Sequence, residues 1–128
     1  MIFRRTMETL GLAAILAGAT LPAFGAHDNT VDDRGCWDGR DSYGGPCMIV
    51  SDTYWRDTTF YAKYTNKCNN RIYARFCNGR KDGGDDCGAD GIRPGGTKTW
   101  YTYESNGRYN YDWIGSDNGS KDWVCSNW

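Results

Sequence analysis

The chain has 128 residues, a formal net charge of −1, and six cysteines, six tryptophans and nine tyrosines. This length allows one ordinary domain, and the nearly balanced charge excludes a polybasic nucleic-acid surface. No leucine follows residue 26, and only nine of the last 102 residues are Ile, Val or Phe. That share is below the roughly 20% typical of chains with an aliphatic core, so we expect aromatic rings and disulfides to replace it.

Residues 1–26 have the pattern of a secretory signal peptide. Arg4 and Arg5 precede a short uncharged stretch rich in Leu and Ala, and small residues follow it. The stretch is shorter than the roughly 20 residues that a membrane-spanning helix needs. The sequence predicts a secreted or periplasmic protein with no membrane span after cleavage. Residues 27–128 are expected to form a single cysteine-rich β-domain.

The six cysteines predict three disulfides. Export would place them in an oxidising compartment, and their spacing lacks the C-x2-C pairs or histidine partners of a zinc site. Spacing alone does not choose among the possible pairings. We expect Cys36–Cys47 and Cys77–Cys87, which would close short loops, and Cys68–Cys125, which would tie the sheet to the C-terminus.

The first predicted strands follow a segment rich in Gly and Asp. Residues 48–50 are expected to form a short strand. Residues 59–65 and 71–77 are two runs of β-branched and aromatic residues with a polar loop between them. This pattern predicts a β-hairpin.

The second half of the chain is expected to begin with an irregular loop. Residues 78–96 hold seven glycines and four aspartates, a composition typical of loops. A last short strand is expected over residues 123–125. No helix is predicted after the leader, because no window keeps apolar residues at helical spacing.

A hairpin is expected around Asn106-Gly107, the preferred residue pair for a type I′ turn. Centring the turn there places Trp100 opposite Trp113 on one face of the hairpin. Trp100, Trp113 and Tyr111 are therefore expected in the core. Together the elements predict an all-β fold: a small disulfide-stapled antiparallel β-sandwich or barrel of five to seven short strands.

One stretch resembles the first hairpin of thaumatin-like proteins. Residues 60–68 (FYAKYTNKC) followed by Ile72-Tyr73 are similar to the first strand, the Asn-x-Cys motif and the second strand of that family, and residues 92–96 followed by Trp100 to its next turn and strand. The resemblance covers about a third of the chain and implies the Cys68–Cys125 bridge. The chain is shorter and has fewer cysteines than that family, so no activity is implied.

Groups needed for catalysis are scarce after the leader. His27 is the only histidine of the chain, and Glu104 is the only glutamate that follows the leader. Mechanisms that need a histidine base therefore lack it. Two aspartates could still act as the acid and base of a small glycosidase, which is the less favoured alternative. We expect a protein that is not an enzyme and that needs no cofactor.

Metal binding has two candidate positions. His27, near the new N-terminus, could hold copper. Four carboxylates in the glycine-rich segment could hold calcium, although their spacing departs from that of an EF-hand loop. Turn-forming, solvated aspartates are the simpler interpretation, so no metal site is predicted. The calcium candidates are Asp82, Asp85, Asp86 and Asp90.

Aromatic residues outside the predicted core are the main functional signal. Flat rings flanked by Asp, Asn and Arg suit sugar rings or a protein partner, whereas the negative charge disfavours nucleic acid. We expect an exported, non-catalytic binding domain for a glycan or an extracytoplasmic protein. A secreted inhibitor, toxin or antimicrobial protein is the alternative, because bridged scaffolds are common there. The candidate ligand-binding residues are Trp37, Tyr43, Tyr54, Trp55, Tyr101 and Tyr103, with Trp128 at the chain end.

Overall fold

The structure, a computed structural model, describes residues 30–126; the predicted leader, His27 and Trp128 lie outside this range. Over the described residues the fold is all-β, with seven strands in two antiparallel sheets. The sheets form a sandwich and not a closed barrel. The predicted fold class is confirmed.

The strands and their order define the two layers. The four-stranded sheet has the order β1-β7-β4-β5, and the three-stranded sheet has the order β2-β3-β6. In chain order the elements are β1 (Cys36–Trp37), β2 (Met48–Arg56), β3 (Thr59–Asn66), β4 (Ile72–Arg80), β5 (Asp85–Ile92), β6 (Thr97–Thr102), β7 (Ser105–Ser116) and a 3-10 turn (Asp122–Val124).

The core between the sheets is largely aromatic. Strand β3 buries every second residue, because side chains alternate across a sheet. Tyr64 is fully buried and lies 5.0 Å from Tyr111 and 5.1 Å from Phe76, measured between ring centroids. Burial raises the pKa of the Tyr64 hydroxyl well above its usual value. Trp100, Tyr111 and Trp113 pack against this core while half-buried, which confirms their predicted placement.

The first predicted hairpin is wrong, because its two strands lie in different sheets. β3 pairs with β2 and β6, whereas β4 pairs with β5 and β7. Both strands have an apolar face, and the two faces bury each other across the sandwich. Buried Asn66 organises the crossing: its Nδ2 donates to the carbonyl oxygens of Asn70 and Ile92, and its Oδ1 accepts from the Cys68 amide.

The second predicted hairpin is also wrong. Trp100 pairs with Ala62 in one sheet and Trp113 with Ala74 in the other. The chain turns instead just before β7, where Glu104 has a φ of 51°. Gly107 does adopt a positive φ, 84°, but it lies inside β7, next to a shift in the register between β7 and β4.

Three shorter predictions also need correction. The short strand at 48–50 is the start of the nine-residue β2. Most of the segment predicted as an irregular loop is ordered as the end of β4 and as β5. The expected strand at 123–125 is replaced by the 3-10 turn. An Arg71–Asp122 ion pair of 2.6 Å holds this turn next to the start of β4.

Three disulfides connect the described cysteines, and none of these cysteines is free. Cys77–Cys87 is confirmed, whereas the pairings Cys36–Cys47 and Cys68–Cys125 are wrong. The observed bridges are Cys36–Cys125 and Cys47–Cys68. β1 pairs with the end of β7, so Cys36 meets the C-terminal segment. The start of β2 pairs with the end of β3, so Cys47 meets Cys68.

The three bridges fit an oxidising environment outside the cytoplasm. They also overturn the Cys68–Cys125 bridge that the thaumatin-like resemblance implied. Within residues 30–126, no helix has the length and apolar character needed to cross a membrane.

Candidate binding site

Three tyrosines form a row across the outer face of the three-stranded sheet. Tyr61 pairs with Tyr54 on one side and with Tyr101 on the other, so the three side chains point to the same face. The ring centroids of Tyr54 and Tyr61 are 4.8 Å apart with planes at 6°, and those of Tyr61 and Tyr101 are 5.3 Å apart at 27°. We call Tyr54, Tyr61 and Tyr101 the tyrosine ladder.

The ring faces inside the ladder are covered by one another. Stacking at the spacing of neighbouring strands leaves mainly ring edges and hydroxyls toward solvent. The Arg56 guanidinium carbon lies 5.7 Å from the centroid of Tyr54 and 5.5 Å from that of Tyr61, so it bridges both rings. The ladder therefore offers a ridge with polar tips, and stacking of a flat ligand is possible mainly at its ends.

The ladder ends at a groove on the open side of the sandwich. Tyr103 is 70% exposed and meets Tyr101 edge-on, at 83° and 5.8 Å between centroids. Beyond them a cavity of about 340 Å³ opens between β5 and β6, within the size range of small-ligand sites. We call it the edge groove, and its lining residues are Asp86, Lys98, Thr99, Trp100, Tyr101 and Tyr103.

Trp100 forms the inner wall of the edge groove and is fixed from three sides. Its ring stacks on Phe76, with centroids 5.7 Å apart and planes at 14°. Its Nε1 donates to the Asp86 carbonyl oxygen at 3.0 Å. The ring also lies directly over Gly88, where a Cβ would come within 2.2 Å of the ring edge. The groove wall therefore depends on a glycine in the facing edge strand.

The polar groups in and beside the groove lie on β5 and β6. Lys98 Nζ pairs with Asp90 Oδ2 at 2.7 Å, and the hydrogen bond from Lys98 lowers the pKa of the Asp90 carboxyl below its usual value. Asp86 Oδ2 accepts from the Thr102 hydroxyl at 2.6 Å, and Asp86 Oδ1 lies 3.5 Å from Arg80 Nη2. The groove thus presents one ammonium and one carboxylate beside aromatic walls.

The candidate calcium ligands do not come together. Asp82 accepts the Gly84 amide in the turn before β5, while Asp86 and Asp90 are engaged separately along that strand. Among residues 30–126, no group of three or more His, Cys, Asp or Glu side chains could hold a metal ion.

Three of the predicted ligand-binding residues come together at this site, namely Tyr54, Tyr101 and Tyr103. Trp37 is only 9% exposed, and its Nε1 donates to the Arg71 carbonyl oxygen at 2.7 Å, so it is part of the core. Tyr43 is 91% exposed in the connection before β2 and is not part of the groove lining, which comes from β5, β6 and Tyr103.

Trp55 lies apart from the ladder although it is 48% exposed. It pairs with inward-facing Phe60 at 5.1 Å between ring centroids. A Cβ on Gly107 would be 2.9 Å from its ring, so Trp55 packs between β3 and the start of β7 at one end of the sandwich.

The sequence-based site omitted Tyr61 and did not connect Trp100, Lys98 or Asp86 with the ligand surface. The alternation in 59–65 could have separated outward Tyr61 from inward Phe60 and Tyr64. No local pattern could have placed Asp86 beside Trp100, because their strands, β5 and β6, belong to different sheets.

Comparison of the chain with protein-family models, with curated proteins and with solved structures gave no match.

Proposed function

We propose that the mature chain is an exported, non-catalytic binding domain and that its edge groove holds a saccharide unit of a glycan. The observation that carries this proposal is the meeting of Trp100, Tyr101 and Tyr103 with one carboxylate and one ammonium in a single open groove. Aromatic walls with a few convergent polar groups are the usual composition of small-ligand sites.

A sugar ring matches this chemistry on both of its surfaces. Its C–H faces pack on aromatic rings, and its hydroxyls can accept from Lys98 and donate to Asp86. The sugar ring stacks on the exposed ring of Tyr103 and on the Trp100 wall of the groove, because the inner ring faces of the ladder cover each other. The ladder then supports the groove and extends its contact surface toward Arg56.

The lining of the edge groove also disfavours glycoside hydrolysis. Glycoside hydrolysis by the usual route needs a pair of carboxyl groups on either side of the scissile bond. Asp86 supplies the one carboxyl group in the lining of the edge groove, and it is already bonded to Thr102.

The test is binding of the processed protein to a glycan array, followed by titration calorimetry with the best ligand. Tyr103→Ala should lower the affinity at least about tenfold, which corresponds to about 1.4 kcal/mol. Tyr43→Ala is the matched control, because it removes another well-exposed tyrosine that lies outside the groove. It should leave the affinity unchanged.

Two results would contradict the proposal. One is glycan binding that Tyr43→Ala and Tyr103→Ala weaken equally. The other is a lack of binding to every glycan on the array, together with capture of an exported protein that depends on Tyr103. That result would make the ligand a protein and favour a secreted inhibitor.

A further inference from the structure

The Cys77–Cys87 disulfide lies on the outer face of the four-stranded sheet, away from the edge groove. The two cysteines are directly paired between β4 and β5; Cys87 is exposed and Cys77 is half-buried. The other bridges are more enclosed: Cys47 is 0% and Cys68 is 9% exposed, and both cysteines of the remaining bridge are half-buried. Cys87 is thus the most exposed of the six cysteines.

A shallow cavity of about 320 Å³ lies beside this disulfide. Cys77, Asp85 and Arg108 are among its lining residues. Within the described part of the chain, the side chains of Arg108 and Asp85 make no ion pair with each other or with a third residue. The cavity therefore places an available guanidinium and an available carboxylate next to a sulfur atom.

This bridge also contributes least to the connections between elements. It spans ten residues and joins two strands that already pair at eight positions. The other two bridges span 89 and 21 residues and tie separate parts of the sandwich together. Opening of Cys77–Cys87 therefore leaves the layers connected.

We propose that Cys77–Cys87 is a thiol–disulfide exchange site for a small thiol that carries a carboxylate. The ligand lies in the cavity, where its thiolate sulfur attacks Cys77 Sγ. The Sγ–Sγ bond breaks, and the exposed Cys87 leaves as a thiolate that takes a proton from water. The product is a mixed disulfide on Cys77. A second thiol that attacks the ligand sulfur releases Cys77 as a thiol, so the bridge is reduced by two electrons and two thiols become a disulfide. Arg108 holds the carboxylate of the ligand and stabilises the thiolate.

The probe is glutathione, added in graded amounts to the intact processed protein. After an acid quench and alkylation, peptide mass spectrometry locates opened cysteines and adducts. Cys77–Cys87 should open first, with the adduct on Cys77, while the other four cysteines stay paired. A double variant, Cys77→Ala with Cys87→Ala, should fold and form no adduct.

Arg108→Ala tests the cavity itself. It should slow adduct formation with glutathione about fivefold, the factor expected from two unit charges about 4 Å apart in water. It should not change the rate with the neutral thiol 2-mercaptoethanol, and Arg93→Ala, an exposed arginine on the β5–β6 connection, should change neither rate. Simultaneous opening of all three bridges, an adduct mainly on Cys87, or an equal effect of Arg108→Ala on both thiols would overturn the proposal.

Discussion

Gly88 is the residue on which the shape of the edge groove depends most directly. The segment around it is poor in strand-forming residues, yet it is ordered as edge strand β5. The absence of a side chain at Gly88 lets the Trp100 ring lie across that strand, and the ring's hydrogen bond to the Asp86 carbonyl fixes it there.

Gly88→Ala should therefore displace Trp100, because the new Cβ would lie 2.2 Å from the ring. We expect a loss of about 1–3 kcal/mol in the free energy of unfolding, as for other overpacked sites, and weaker ligand binding. Urea unfolding followed by tryptophan fluorescence measures the first effect. Gly119→Ala is the control, since its Cβ would meet no atom closer than 3.6 Å. Equal stability of both variants would contradict the proposed role of Gly88.

The Lys98–Asp90 pair gives a prediction on pH. The pKa of Asp90 is lowered from its ordinary 3.8 by the hydrogen bond from Lys98. Because the folded pKa lies below the unfolded one, the pair stabilises the fold above about pH 4 and this contribution is lost as the pH falls through the lowered pKa. Both side chains are partly exposed, so the contribution is at most about 0.5 kcal/mol.

An NMR titration of the side-chain carboxyl carbons checks this directly. Asp90 should titrate below 3.8, and Lys98→Met should move its pKa back toward that value. Lys121→Met, a change at an exposed lysine outside the pair, should leave the titration of Asp90 in place. An unshifted Asp90 in the wild-type protein would contradict the pairing.

At the scale of elements, the sequence predicted which segments form strands better than it predicted which strands pair with each other. The alternating patterns of 59–65 and 71–77 correctly indicated two half-buried strands, because alternation depends only on the strand itself. Pairing depends on which apolar face meets which, and the two faces meet across the core. The turn predicted at Asn106-Gly107 is wrong for a similar reason. Gly107 does have a positive φ, but it lies at a register shift between β7 and β4 and not in a turn.

The three bridges should differ in their contribution to stability. In a chain-entropy model, loops of 89, 21 and 10 residues correspond to about 4.6, 3.3 and 2.7 kcal/mol. Paired Cys→Ala variants should therefore lose most stability at Cys36–Cys125 and least at Cys77–Cys87. Free energies of unfolding from urea titrations give the ranking, and a reversed order would contradict this account.

At the scale of the whole molecule, composition predicted more than local motifs did. The absence of leucine after residue 26 correctly indicated an aromatic core with disulfides, because few other side chains could fill the space between two sheets. The sequence named only some of the residues that form the aromatic surface. Tyr54, Tyr101 and Tyr103 share a surface with Tyr61, but Trp37 was required inside as one of the few large apolar residues available.

The central claim is that the chain folds into two sheets whose strand pairings bring Cys36 to Cys125 and Cys47 to Cys68, and that β5 and β6 flank the edge groove. Peptide mapping of the purified, unreduced protein tests it most directly. The account predicts three linked peptide pairs, Cys36 with Cys125, Cys47 with Cys68, and Cys77 with Cys87, and no free thiol. A peptide that links Cys36 to Cys47, or Cys68 to Cys125, would contradict the sandwich and the groove with it.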